Sequence, residues 1–201
     1  MLRDIQEIDL LGSWLTSEQC IHHQLQQAKQ VVLEDLEPFF TDNPWTHQLK
    51  DRRVVVVHPF AESITKQYTI REKIFPDGLL PAFDIKAIPA VQSLGGKHPK
   101  FQDWFEALQS MEDALDQTDY EVAIIGAGAY GLPLAAHVKR SGKKAIHLGG
   151  VTQLLFGIKG RRWEEEYIVW PYRNLFNEHW IRPSSSETPQ TAKSVESACY
   201  W

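Results

Sequence analysis

The reading of the fold turns on Glu121-Val122-Ala123-Ile124-Ile125-Gly126-Ala127-Gly128-Ala129-Tyr130-Gly131-Leu132-Pro133. Its first part, Glu121 to Ile125, is a short continuous apolar run, which suits a strand covered on both faces. Three glycines follow in the order G-x-G-x-x-G. A helix then begins near Leu132, with Pro133 in the first turn, where the missing N–H does no harm. Ser141-Gly142 supplies its stop. The stretch therefore reads as strand, glycine turn and helix.

The same grammar recurs on either side. Upstream, Val54-Val55-Val56-Val57 is a β-branched run behind Asp51-Arg52-Arg53, and it ends in His58-Pro59-Phe60. A helix is expected from Ser63 to Phe75 with Ile64, Tyr68 and Phe75 inward, then a turn at Pro76-Asp77-Gly78. A weaker strand over Phe83 to Val91 leads into Gln92-Ser93-Leu94-Gly95-Gly96. Phe101, Trp104, Phe105, Leu108, Met111 and Leu115 keep helical spacing across 101–118. Downstream, Lys144 to Leu148 reads as a strand closing on Gly149-Gly150. Residues 151–156 make a helical turn, followed by the basic loop Lys159-Gly160-Arg161-Arg162. Four strand–helix alternations predict an α/β fold: a Rossmann-like open, mostly parallel sheet with helices on both faces. It is expected to occupy 51–165, after a helical lead-in over 1–50 and before an irregular tail over 166–201, the three forming one structural domain. In the lead-in, Ile21, Leu25, Ala28, Val32 and Leu36 fall into one helical stripe. In the tail, residues 183–198 are rich in Ser, Thr, Pro, Lys and Glu. The closing Cys199-Tyr200-Trp201 is expected to dock on the body.

Composition excludes several classes. The 201 residues carry a net charge of −5, against a general nucleic-acid binder. Cys20 and Cys199 stand at opposite ends without zinc spacing, which argues against a disulfide scaffold or zinc site. No apolar run of ~18 residues occurs to span a membrane, and acidic residues break up the first 25, against a signal peptide. The expectation is a cytoplasmic globular domain with no membrane span.

In an open α/β sheet, ligands bind beyond the carboxyl ends of the strands. The residues found there are His58 and Glu62, Gln92 and Ser93, Gly126, Gly128, Tyr130 and Gly131, and His147, Gly149, Gly150 and Gln153. A glycine turn before a helix N-terminus can cradle a phosphate, or it can be an ordinary tight turn. His58 and His147, taken as neighbours at adjacent strand ends, are candidates for acid–base work with Glu62 as partner. Lys159, Arg161 and Arg162 form the one compact basic cluster, either a diphosphate clamp or a loop balanced by Glu164-Glu165-Glu166. A dinucleotide oxidoreductase is the competing reading. It wants a carboxylate at the end of the next strand, and Ala145-Ile146-His147-Leu148-Gly149 has none. Asp35-x-Glu37 has the letters of a metal pair, but residues two apart do not share a helix face.

Together, Val54–Phe60 with Glu62 and Gln67-Tyr68, Leu80-Pro81, Ala90-Val91-Gln92-Ser93, Ile124–Pro133 and Ala145–Gly150 through Trp163 resemble a bacterial polysaccharide-locus family. That family is related to the GT-D-fold glycosyltransferases and was once described as a domain of unknown function. Asp35-Leu36-Glu37-Pro38, Pro44-Trp45, Trp180, Arg182-Pro183, Glu187, Pro189, Val195-Glu196 and Tyr200-Trp201 extend the resemblance over nearly the whole chain. The resemblance implies transfer of a sugar from a nucleotide-sugar, a uridine diphosphate sugar by expectation, to a saccharide acceptor, with Mn or Mg. The group's N-terminal R-x-G-D-G-E-like segment has no counterpart here, so no metal role passes to Asp35 or Glu37. The expectation is a shortened member or a start lying upstream, with a non-catalytic nucleotide-binding or scaffold remnant as a further alternative.

Overall fold

The computed structural model describes residues 1–92, 100–166, 171–189, 191–194 and 196–201. Its centre is a four-stranded, wholly parallel sheet of β3 (Arg53–His58), β4 (Asp84–Pro89), β5 (Val122–Ile125) and β6 (Lys144–His147), in the order β4-β3-β5-β6. Val54 to Val57 pair with Ile85 to Ile88 on one side and with Val122 to Ile125 on the other. β3 is thus central and all four valines are buried, which is why its apolar run is unbroken.

Side chains alternate between two cores. Val54, Val56 and Ile124 face α2 (Ala61–Tyr68), α3 (Arg71–Ile74) and the turn Gly149–Phe156. Val55, Val57, Ala123 and Ile125 face α4 (Trp104–Asp116) and α5 (Gly131–Arg140). The expected α/β sheet with helices on both faces is therefore present. The helix expected over 63–75 is split at Ile70 (φ −115°), although Ile64, Tyr68 and Phe75 are all buried. α4 starts at Asp103, whose carboxylate accepts the Glu106 N–H at 2.9 Å. Phe105, expected inward, is 72% exposed; Ala107, Met111 and Leu115 fill the inner face instead.

The lead-in departs from the expected helix. After α1 (Leu2–Ile5), β1 (Leu10–Ser13) pairs in parallel with β2 (Lys29–Val32). Between them lies a 3-10 segment, Thr16–Leu25, broken at Ile21 (φ −118°). Of the five stripe residues only Leu25 is buried. The stripe is thin and its surroundings polar, so a long helix would bury little. Pairing Val31-Val32 with Gly12-Ser13 brings Leu33 and Leu36 onto Gly12, where a Cβ would stand 2.7 Å from Leu36 Cδ1. α1 docks on α5 through Asp4–Arg140 at 3.0 Å, and Lys139 reaches Asp9 at 2.9 Å. The tail runs as short 3-10 turns, Ser185–Glu187, Ala192–Ser194 and Glu196–Ala198. Trp201 meets Phe60 edge-on at 6.1 Å, so the final aromatics do dock on the body. Among the described residues no helix is long and apolar enough to cross a membrane.

Candidate functional site

The chain passes from β3 outward to β4 and returns across β3 to β5, then moves outward to β6 on the other side. The sense of progression reverses between β3 and β5, so the crevice beyond their carboxyl ends is the position where this architecture binds ligands. Two turns meet there: His58-Pro59-Phe60 entering α2, and Gly126 to Gly131 entering α5. Gly126 permits their approach. A Cβ on it would lie 2.6 Å from both His58 Cδ2 and the Gly149 carbonyl oxygen, and 2.7 Å from Thr152 Oγ1.

His58 is 3% exposed. Its Nδ1 accepts the Phe60 N–H at 3.0 Å, and its ring packs edge-on against Phe60 at 4.8 Å. Burial pushes its pKa down to about 3, so the imidazole is neutral. With Nδ1 accepting, the ring proton resides on Nε2. His58 thus braces the turn and offers one neutral N–H donor.

The expected pairing of His58 with His147 does not form. β5 lies between their strands, and the two side chains fall on opposite faces of the sheet. His58 follows the Val54/Val56 face. His147 follows Ala145 onto the α5 face, where it covers Gly131. A Cβ on Gly131 would come within 2.0 Å of His147 Nε2. The protein packed on that side of the His147 ring lowers its pKa, while its other side meets solvent. Glu62 is not turned to His58 either; its exposed carboxylate pairs with Lys66 at 2.6 Å. The Tyr130 ring is buried and stacks on Trp104, centroids 5.0 Å apart and planes 7° from parallel. Gly128 (φ +52°) and Gly149 (φ +61°) turn the chain with open space beside them.

The remaining candidates meet the tail. Gly150 lies against the Tyr200 ring, its would-be Cβ 2.5 Å from Tyr200 Cε1. Gln153, also buried, donates from Nε2 to the Ile158 carbonyl at 3.2 Å and the Tyr200 carbonyl at 3.1 Å. The basic loop is engaged as well. Lys159 faces Glu164 and Arg161 faces Glu165, each at 3.6 Å. Arg161 also donates to the Ser197 carbonyl, and Arg162 donates to Tyr200 Oη at 2.9 Å.

The sequence alone did not mark Glu187 as a site residue. Its Oε1 accepts the N–H groups of Glu62 (2.9 Å) and Ser63 (3.1 Å) at the start of α2. Its Oε2 accepts the hydroxyl of Ser63 and that of Ser184 at 2.8 Å. Ser184-x-x-Glu187 is legible as a local capping box, but the helix it also serves, more than a hundred residues earlier, is not. Gln92 Nε2 donates to the Glu187 carbonyl at 3.3 Å, and Gln92 Oε1 is buried without a partner. These residues border an open cleft of about 660 Å³ beyond the ends of β3 and β4, lined among others by Glu62, Gln92, Phe101, Met111 and Glu187. Ser93 lies outside the described residues, as do Gly95 and Gly96.

Asp35 and Glu37 do not form a metal pair: the buried Glu37 carboxylate accepts the Tyr172 hydroxyl at 2.6 Å, and burial pushes its pKa up to about 7. Among the described residues no three His, Cys, Asp or Glu side chains gather where they could hold a metal ion. Comparison with protein-family models, with curated proteins and with solved structures returns no match.

Proposed function

We propose that this chain is a cytoplasmic glycosyltransferase-like domain that takes a nucleotide-sugar and passes the sugar to a saccharide acceptor in surface polysaccharide assembly. The observation that carries the reading is the cleft beyond β3 and β4, which adjoins the reversal point of a parallel sheet and has two carboxylates, Glu62 and Glu187, in its wall. The family resemblance supplies the reaction class. In this reading the turn from Gly126 to Gly131 and the α5 N-terminus take the diphosphate. Glu62, the exposed carboxylate, takes the proton of the acceptor hydroxyl. His58 braces the turn from behind. Uridine diphosphate sugars should raise the melting temperature, measured with and without Mn. Glu62→Gln should lower transfer by about 100-fold or more while leaving nucleotide binding in place. If no nucleotide or nucleotide-sugar shifts the melting temperature, the proposal is wrong.

A second reading is a nucleotide-binding or scaffold domain without turnover. It is favoured by the burial of His58 and by the engagement of Arg161 and Arg162 with the tail. Saturable nucleotide binding with no transfer to any saccharide acceptor would select it.

A further inference from the structure

β1 and β2 make a sheet of two strands, and among the described residues no third strand continues it. In a parallel ladder each residue turns its N–H and its C=O to the same side, and successive residues alternate. The Lys29 N–H bonds the Asp9 carbonyl at 2.9 Å. Lys29 and Val31 therefore face β1, while Gln30 and Val32 turn their N–H groups to the open edge. Among the described residues no other backbone or side chain takes those two N–H groups or the Gln30 carbonyl. The edge is also bare. Lys29, Gln30 and Val32 are exposed and no residue of β2 is buried, whereas β1 buries Gly12. Val32 is 60% exposed, and Trp14, next to its neighbour Ser13, is 67% exposed. Sheets usually guard such an edge with charge, proline or a covering element; here Lys29 stands alone at one end.

This edge is complementary to itself. Turned about a twofold axis that passes beside Val31 and perpendicular to the sheet, a second copy of β2 runs antiparallel to the first. Gln30 then stands opposite Val32 of the second copy, and Val32 opposite Gln30 of the second copy, so the outward groups of each strand meet those of the other. Val31 meets its own image. Lys29 comes beside the second copy's turn Leu33–Leu36, which carries Glu34 and Asp35. Lys29 lies on the same sheet face as Gly12, and Leu33 and Leu36 of that turn pack on Gly12, so lysine and carboxylates stand on one side of the joined sheet. Lys29 and Asp35 are both exposed, and among the described residues neither is in an ion pair.

We propose that β2 is a dimerisation edge, at which two copies of this chain join their strand pairs into one four-stranded sheet in the order β1-β2-β2-β1. The sheet is parallel within each copy and antiparallel at the twofold axis. Such a contact uses the same patch on both copies and closes with two. It supplies the further strands that a lone pair lacks for stability. So short an edge buries little area, which makes the dimer weak and reversible, with a Kd on the order of 10–100 μM. Nothing in the pairing depends on what the cleft beyond β3 and β4 binds.

Sedimentation equilibrium of the whole chain, from about 1 μM to about 1 mM, should show a monomer giving way to a dimer. Val32→Pro tests the edge itself. Val32 already has φ −63°, as proline requires, and the N–H that proline lacks is unused in the monomer. The variant should keep the native melting temperature at about 1 μM and stay monomeric up to about 1 mM. Lys29→Asp should weaken association about tenfold, since two pairs become repulsive, and adding Asp35→Lys should restore it. That charge exchange covers the case that Val32→Pro fails to fold. A native chain still monomeric at about 1 mM, or a folded Val32→Pro variant that dimerises like the native chain, would overturn the proposal. So would a dimer that Lys29→Asp leaves equally tight, or an assembly that grows past two copies.

Discussion

At Gly131 a single methyl group decides the packing. A Cβ there would sit 2.0 Å from the ring of His147, an exposed side chain that must swing aside, so Gly131→Ala is expected to lower stability by about 1 kcal/mol or less. With His147→Ala alongside, the obstruction is gone, and alanine at the start of a helix should be neutral or up to about 1 kcal/mol better than glycine. Urea unfolding of the single and double variants measures that change of sign. Two buried groups set opposing pH dependences. Glu37 has its pKa raised to about 7, so the folded state holds a proton the unfolded chain gives up, and stability falls as pH rises from about 4.5 to 7. His58 has its pKa lowered to about 3, so the unfolded chain binds the extra proton, and stability falls as pH drops from about 6.5 towards 3. Between roughly pH 4.5 and 6.5 the two slopes oppose each other. Glu37→Gln should expose the histidine slope, a loss of about 1.4 kcal/mol per pH unit on acidification. A variant stability curve that stays flat across that window would refute the assignment. The spacing of Gly126, Gly128 and Gly131 was legible as a turn. That Gly126 lies on His58 and Gly131 under His147 was not, because those contacts depend on which strands are neighbours.

At the scale of the element, strands buried on both faces were the easiest to read and the exposed strand was the hardest. β3 shows as four consecutive valines because neither face meets water. β2, Lys29–Val32, imitates part of a helical stripe because three of its four residues are exposed, none is buried and its partner is short. Truncating a valine in each tests the distinction. Val56→Ala, in the core, should cost about 2 kcal/mol. Val32→Ala, 60% exposed, should stay within about 0.5 kcal/mol. A large loss at Val32 in chemical unfolding would restore the amphipathic helix. α2 presents a related case. Its apolar face was visible, but the cap on its first turn comes from Glu187, and no local pattern reports a contact across that distance.

Across the whole molecule, the alternation of strands and helices fixed the class of fold, while the order β4-β3-β5-β6 fixed which residues meet. That order separates His58 from His147 and brings His58 to Gly126. Strand order depends on how crossovers pack, information that a linear pattern carries only weakly. Stability should be uneven as well. Amides of β3 and β5, inside the four-stranded sheet, should exchange with solvent at the rate of global unfolding. Those of the separate β1–β2 pair should exchange more than about 100-fold faster, since two strands alone are marginal. Equal protection would mean that the N-terminal pair belongs to the same cooperative unit.

The pairing of Val54 with Val122 has a consequence for synthesis on the ribosome. At ~10 residues per second, β5 emerges several seconds after β3. During that interval one edge of a four-valine strand has no partner, and such a segment invites pairing with another chain. The charged trio Asp51-Arg52-Arg53 stands beside it. Arg52 later bonds Glu121 at 2.9 Å, so a side chain that ends as a modest surface pair would first serve to keep nascent chains apart.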